Sequence, residues 1–135
     1  MLRPAWLLTA ASPRAAAAAD ALALVAFVVV GSASHGRGSP IQLFLRTGVP
    51  MLASWFAVAS LVRTYRRADL RTLLMTWLVS VPIAAVIRSA VSDGPWDGTL
   101  LVFVGVALAF TLLFLVGGRI AVNLLLSRRP VRARE

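Results

Sequence analysis

The chain has 135 residues, 59% of them hydrophobic and only 14% charged, with a formal net charge of +9 carried by arginines and no lysine. Globular domains are roughly half apolar and about a quarter charged, so this composition excludes an ordinary soluble domain and points to the bilayer. The absence of cysteine excludes disulfides, thiolate catalysis and cysteine-ligated metals, and one histidine with five acids leaves almost nothing for a zinc or di-iron centre, so no metal or cofactor is expected.

Residues 1–14 read as a cytoplasmic or interfacial segment. The stretch Ala5 to Ala11, which holds Trp6, is too short to cross a bilayer and is expected to lie along its surface. Beyond it, charged residues cut the chain into uncharged runs at 21–36, 47–62, 72–87 and 98–118. A span needs about 20 residues at 1.5 Å each, so the first three runs must borrow flanking residues, charges included. The expected spans are therefore about 15–34, 43–62, 70–88 and 99–126, within one domain over 15–127, followed by a basic tail over 128–135. A cleaved leader ending near Ser32 or Ser34 is the competing reading of the first span, but Asp20 interrupts what would be its apolar core.

Helix is the form expected for every span, because an isolated strand would leave backbone groups unpaired in lipid. Breakers fall between spans: Gly36, Gly38 and Pro40 after the first, and Asp93, Gly94, Pro95 and Gly98 before the fourth. The predicted fold is all-α, an integral membrane four-helix bundle with short loops and antiparallel neighbours. Ten arginines fall in the N-terminal segment, the loop between spans two and three, and the tail; three fall on the other side. The positive-inside rule then places both termini and the middle loop on the cytoplasmic side, with the arginine-rich face against anionic lipids.

Two layers of polar residues stand out within this frame. Asp20 is about 7.5 Å inside the first span and Arg119 about 13 Å inside the fourth, counted from the same side. Burying an isolated charge at the bilayer centre costs at least about 2.5 kcal/mol, so opposite charges at similar depth are expected to pair. Gly117 and Gly118, just before Arg119, would allow a neighbouring backbone to come close. At the opposite boundary Ser34 and His35 end span one, Arg46 and Thr47 open span two, and Arg88 closes span three. Together they form a candidate polar mouth whose guanidinium groups suit carboxylates or phosphates, with His35 titrating near neutrality. The alternative for these arginines is snorkelling to lipid, or pairing with Asp93 and Asp97.

Pro50 and Pro82 are expected to kink spans two and three in the half nearest that mouth, since proline removes a ladder hydrogen bond. Trp55 and Trp77 sit mid-membrane, away from the interfacial belts, and their indole N–H groups need buried partners such as Ser54, Ser60, Thr76 or Ser80. Ala53 with Ala57, Ser80 with Ala84 and Gly105 with Ala109 have the spacing of close helix contacts, within one bundle or in a homodimer, and the expected partners are a further copy of the chain or another membrane protein. No nucleophile elbow, phosphate-cradling glycine loop or carboxylate pair is present, so an enzyme is not expected. Without a soluble module to present a reading surface, nucleic acid is not an expected partner either.

Several of these residues carry a family likeness. Asp20 opening an apolar helix, Gly31-Ser-Ala-Ser-His-Gly36 at its end, Arg46-Thr47-x-x-Pro50 with Trp55, Trp77 followed by Arg88, and Gly118-Arg119 resemble the prokaryotic membrane family catalogued as domain of unknown function 3054. The likeness covers about residues 18–122. It departs at Met51, where the family has phenylalanine, and at Ser54, where it has glycine. The resemblance implies a four-span inner-membrane protein of actinobacterial or archaeal type and implies no particular activity. The expected role is binding or permeation of a small, anionic solute; the alternative is an accessory or scaffold subunit whose polar residues are structural.

Overall fold

The structure, a computed structural model, describes residues 12–35, 38–67, 69–94 and 96–128, with His35 described through its backbone alone. The expected interfacial segment around Trp6 and the tail from residue 129 lie outside the described residues. The elements are α1 Pro13–His35, α2 Pro40–Leu43, a π-helical turn Phe44–Gly48, α3 Val49–Val62, α4 Thr64–Arg67, α5 Leu70–Val91 and α6 Gly98–Ser127. No strand occurs among the described residues. Four helical rods, Pro13–Ser34, Pro40–Val62, Leu70–Val91 and Gly98–Ser127, are long and apolar enough to cross a membrane.

Local chemistry sets where these rods start and stop. The second begins at Pro40 rather than Leu43, because proline's fixed φ and missing N–H suit the first helical turn. Asp69 caps α5 by accepting from the Thr72 N–H at 2.9 Å, and Asp97 caps α6 by accepting from the Thr99 N–H at 2.9 Å. Hydrogen bonding from Thr72, its side chain and then its backbone N–H, lowers the Asp69 carboxyl below its usual range, and bonding from Thr99, its backbone N–H and then its side chain, does the same for Asp97. The second span ends at Arg63, which turns left-handed at φ 60°, and the chain leaves α5 through Asp93 at φ 49°.

The expected kink at Pro50 takes another form. Proline cannot donate to the carbonyl a turn before it, and the chain widens into the π turn directly ahead, where Val49 N–H reaches Phe44 O. Gly48 suits this turn: a Cβ there would stand 3.0 Å from the Phe44 ring, which would have to shift to admit it. Pro82, by contrast, lies inside α5, which runs from Leu70 to Val91 without interruption.

Packing is antiparallel throughout. α3 lies against α5 and α1 against α6, the two pairs meet chiefly through α5 and α6, and α4 closes one end against α1, α3 and α5. Leu101, Val102, Leu113 and Leu125 of α6 are exposed, whereas Asp20, Thr64, Thr76, Ser80, Thr111 and Arg119 are buried. Leucine and valine outside, with the buried polar groups gathered inside beside an apolar core, is the arrangement lipid imposes, since tails offer apolar groups as good a solvent as the core does.

The α1–α6 seam shows how side-chain size shapes the bundle. Near one end it is lined by Ala19, Ala23 and Gly118, and a Cβ on Gly118 would lie 3.3 Å from the Ala23 Cβ and 3.5 Å from the Ala19 carbonyl. Gly117 meets nothing within 4 Å, so of the two glycines only Gly118 serves the close approach. Further along, Phe27 and Phe114 meet edge to face with centroids 6.5 Å apart. Gly118→Leu should force the helices apart and destabilise the bundle by about 1–3 kcal/mol. Gly117→Leu should be nearly silent, and heat-challenge size exclusion would compare the two. Of the small-residue pairs, Ser80 and Ala84 are buried, while Ala53, Ala57, Gly105 and Ala109 are exposed on the outside of the bundle.

Candidate functional site

The two polar layers occupy opposite ends of the bundle. In the first, the antiparallel α1–α6 register sets Asp20 against Arg119. The guanidinium donates through Nε to Asp20 Oδ1 at 2.9 Å and through Nη2 to Oδ2 at 2.8 Å, with Asp20 fully buried and Arg119 2% exposed. This two-pronged geometry is the strong form of a carboxylate–guanidinium contact. Asp20 Oδ2 also accepts from the Tyr65 hydroxyl at 2.8 Å, and Tyr65 in turn accepts from Trp55 Nε1 at 2.9 Å. Tyr65 sits on α4, outside the spans; burial and then the Asp20 charge push its phenol well up, so it stays an O–H donor.

This end is closed. The Thr64 and Thr76 hydroxyls are bonded to each other, tying α4 to α5, and Thr76 also caps back onto the Thr72 carbonyl at 2.8 Å. One carboxylate, one guanidinium and neutral donors satisfy one another away from solvent, and neither Asp20 nor Arg119 lines the cavity at the opposite end. The arrangement locks α1, α4 and α6 together; it offers no exposed group for acid–base work.

The indole partners differ from those expected. Trp55 bonds to Tyr65, and Trp77 Nε1 donates to the Leu108 carbonyl at 3.0 Å and to Thr111 Oγ1 at 3.2 Å. Ser54 and Ser80 supply neither; their buried hydroxyls have no hydrogen-bond partner among the described residues. Ser60 bonds its own helix at Phe56 O, and Thr76 serves the α4–α5 contact instead.

At the opposite end a cavity of about 590 Å³ lies between the C-terminal half of α1 and the N-terminal half of α6. Its walls are mainly apolar, with Phe27, Phe103, Phe110 and Phe114 prominent. Its polar groups are Arg88, Thr47, Ser89, Ser32, Ser34 and Thr99. Arg88 Nε donates to Thr47 Oγ1 at 3.1 Å, and its guanidinium carbon stands 4.5 Å from the centre of the Phe103 ring. No carboxylate pairs with Arg88 among the described residues: Asp97 is engaged as the α6 cap.

Of the expected mouth, Thr47 and Arg88 touch each other and Ser34 lines the same cavity, its hydroxyl bonded to Val30 O at 2.9 Å. Arg46 does not join them; it lies in the π turn, exposed and away from the lining, because neighbouring helical residues point roughly 100° apart and Thr47 holds the inward face. The His35 side chain lies outside the described residues. Among the described residues no group of three His, Cys, Asp or Glu could hold a metal.

A family model described as "Protein of unknown function (DUF3054)" matches residues 17–122. The chain belongs to this family. No curated protein and no solved structure matches it. The matched interval begins before Asp20 and ends after Arg119, and so holds both polar layers.

Tyr65, Thr64, Thr111 and Ser89 were not legible as site residues in the sequence. Tyr65 is the one tyrosine of the chain, set among arginines in a connecting loop, and that isolation was the available signal. The threonines carry none, since a hydroxyl in a membrane helix can always bond its own backbone.

Proposed function

We propose that this multi-pass protein binds a small molecule with an apolar body and an anionic group in the Arg88 cavity and is not a conduit. One observation carries this reading: a half-buried arginine without a carboxylate partner among the described residues stands beside an apolar volume of about 590 Å³. A ligand that only had to be apolar would need no cation, and a hydrophilic anion would gain nothing from four phenylalanines. The closed Asp20–Arg119 layer blocks the far end, which argues against permeation. On the positive-inside rule both termini face the cytoplasm of the inner membrane of a prokaryote, the cavity opens on the outer side, and the arginine-rich loop meets anionic lipid. The protein is non-catalytic, with no cofactor and no nucleic-acid partner.

Calorimetry on the chain in phosphatidylcholine nanodiscs tests this with dodecyl phosphate against dodecanol. Dodecyl phosphate should bind the more tightly, and Arg88→Ala should weaken it about 10- to 100-fold, the worth of a charge-assisted hydrogen bond. Equal affinity for the two probes, or indifference to Arg88→Ala, would favour the second reading. That reading is an accessory subunit, assembled with copies of itself or with a membrane partner, and it is supported by the sealed Asp20–Tyr65–Arg119 clamp, whose groups only hold helices together.

A further inference from the structure

The cavity does not stop at the bundle interior. Val30 on α1, and Val106 and Phe110 on α6, line it and are at the same time half exposed on the outer, lipid-facing surface of the bundle. The α1–α6 seam accounts for this. It is shut at Ala23 and Gly118 and propped at Phe27 and Phe114. Beyond the two rings it stays open: an added Cβ at Gly31, which lines the cavity, would meet nothing within 4 Å. The opening is a slot running along the helices, with apolar lips at Val30, Val106 and Phe110 and the exposed hydroxyls of Ser34 and Thr99 at its outer end, and Arg88 lies one turn from the end of α5 at Val91.

A slot of this form faces acyl chains along its length and headgroups at its end. Arg88 is equipped for the latter. Thr47 takes its Nε–H, and the ring of Phe103 lies under the guanidinium. Its two terminal amino groups have no protein partner among the described residues, and together they match two phosphate oxygens. Ser89 adds a buried hydroxyl without a partner at the same cavity wall.

Building on the binding reading above, we infer that the ligand is an anionic phospholipid of the outer leaflet, which slides an acyl chain sideways between α1 and α6 and seats its phosphate on Arg88. Lateral access explains why the lips are apolar and exposed, and why the cation stands at headgroup depth rather than at the cavity floor. A solute arriving from water would need neither feature.

Electron spin resonance on the chain in phosphatidylcholine nanodiscs separates the outcomes, using trace phosphatidylglycerol or phosphatidylcholine spin-labelled near the chain end. The motionally restricted fraction should favour phosphatidylglycerol, and Arg88→Ala should reduce that preference about five-fold, the value of one cation near the headgroups. Gly31→Leu, which fills the slot without touching Arg88, should lower the restricted fraction of phosphatidylglycerol and keeps the test open if the Arg88 variant does not fold. If neither variant changes the lipid preference while dodecyl phosphate still binds through Arg88, the lipid assignment is overturned and the binding reading survives. If dodecyl phosphate binding is also indifferent to Arg88, both are overturned.

Discussion

Asp20→Asn should abolish most folded protein at temperatures the unmodified chain tolerates. The substitution keeps the volume and removes the charge, leaving Arg119 buried against a neutral amide. Breaking one side of a buried ion pair destabilises by about 3–5 kcal/mol, because the remaining charge is desolvated without compensation. Arg119→Met should be as damaging for the mirror-image reason, leaving a carboxylate held only by Tyr65. Their costs should not add: with Asp20→Leu and Arg119→Met together no charge is stranded, and most of the stability should return. The swap of Asp20→Arg with Arg119→Asp should recover part of it, since the Tyr65 hydroxyl can accept from a guanidinium as well as donate to a carboxylate. The monodisperse fraction after graded heating, by size exclusion in detergent, reads all four. A wild-type midpoint for Asp20→Asn would mean that the pair contributes nothing.

Trp55→Ala is expected to follow closely, at about 3 kcal/mol or more. Trp55 is fully buried where α3, α4 and α5 converge, in one cluster with Leu24, Met51, Leu73 and Leu115. In a bilayer little of this loss is hydrophobic transfer, because lipid would solvate the indole nearly as well as the core does. What is lost is packing against an unfilled volume, together with the hydrogen bond that fixes the Tyr65 hydroxyl. Trp55→Phe separates the two: it keeps most of the contacts and should cost only about 1 kcal/mol, through the missing donor. Equal damage from both variants would assign the whole effect to the hydrogen bond and refute the packing account.

The two layers differ in how far they could be read in advance. Asp20 and Arg119 were identifiable because an ionised group inside an apolar run has few tolerable fates, and depth along each helix follows from residue count. The Arg88 layer was read less well. Arg46 and Arg88 have equal claims in the sequence, yet only Arg88 reaches the cavity, because Thr47, the next residue along, takes the inward face of its helix and leaves Arg46 pointing out. The tryptophans show the same limit. Their need for partners followed from composition, but choosing Tyr65 and Leu108 over nearby serines required knowing which helix each ring faces.

The sequence by itself determined that the chain is helical, that it has four rods fit to cross a membrane, and roughly where each lies, because hydropathy and length are summed along a chain and need no knowledge of neighbours. Only the tertiary structure decided that α1 and α6 close at Gly118 and part beyond Phe27, leaving a slot that ends at Arg88. Whether two helices touch or separate depends on the volumes that meet across the seam, and residues about a hundred positions apart acquire that relation only when the chain has packed.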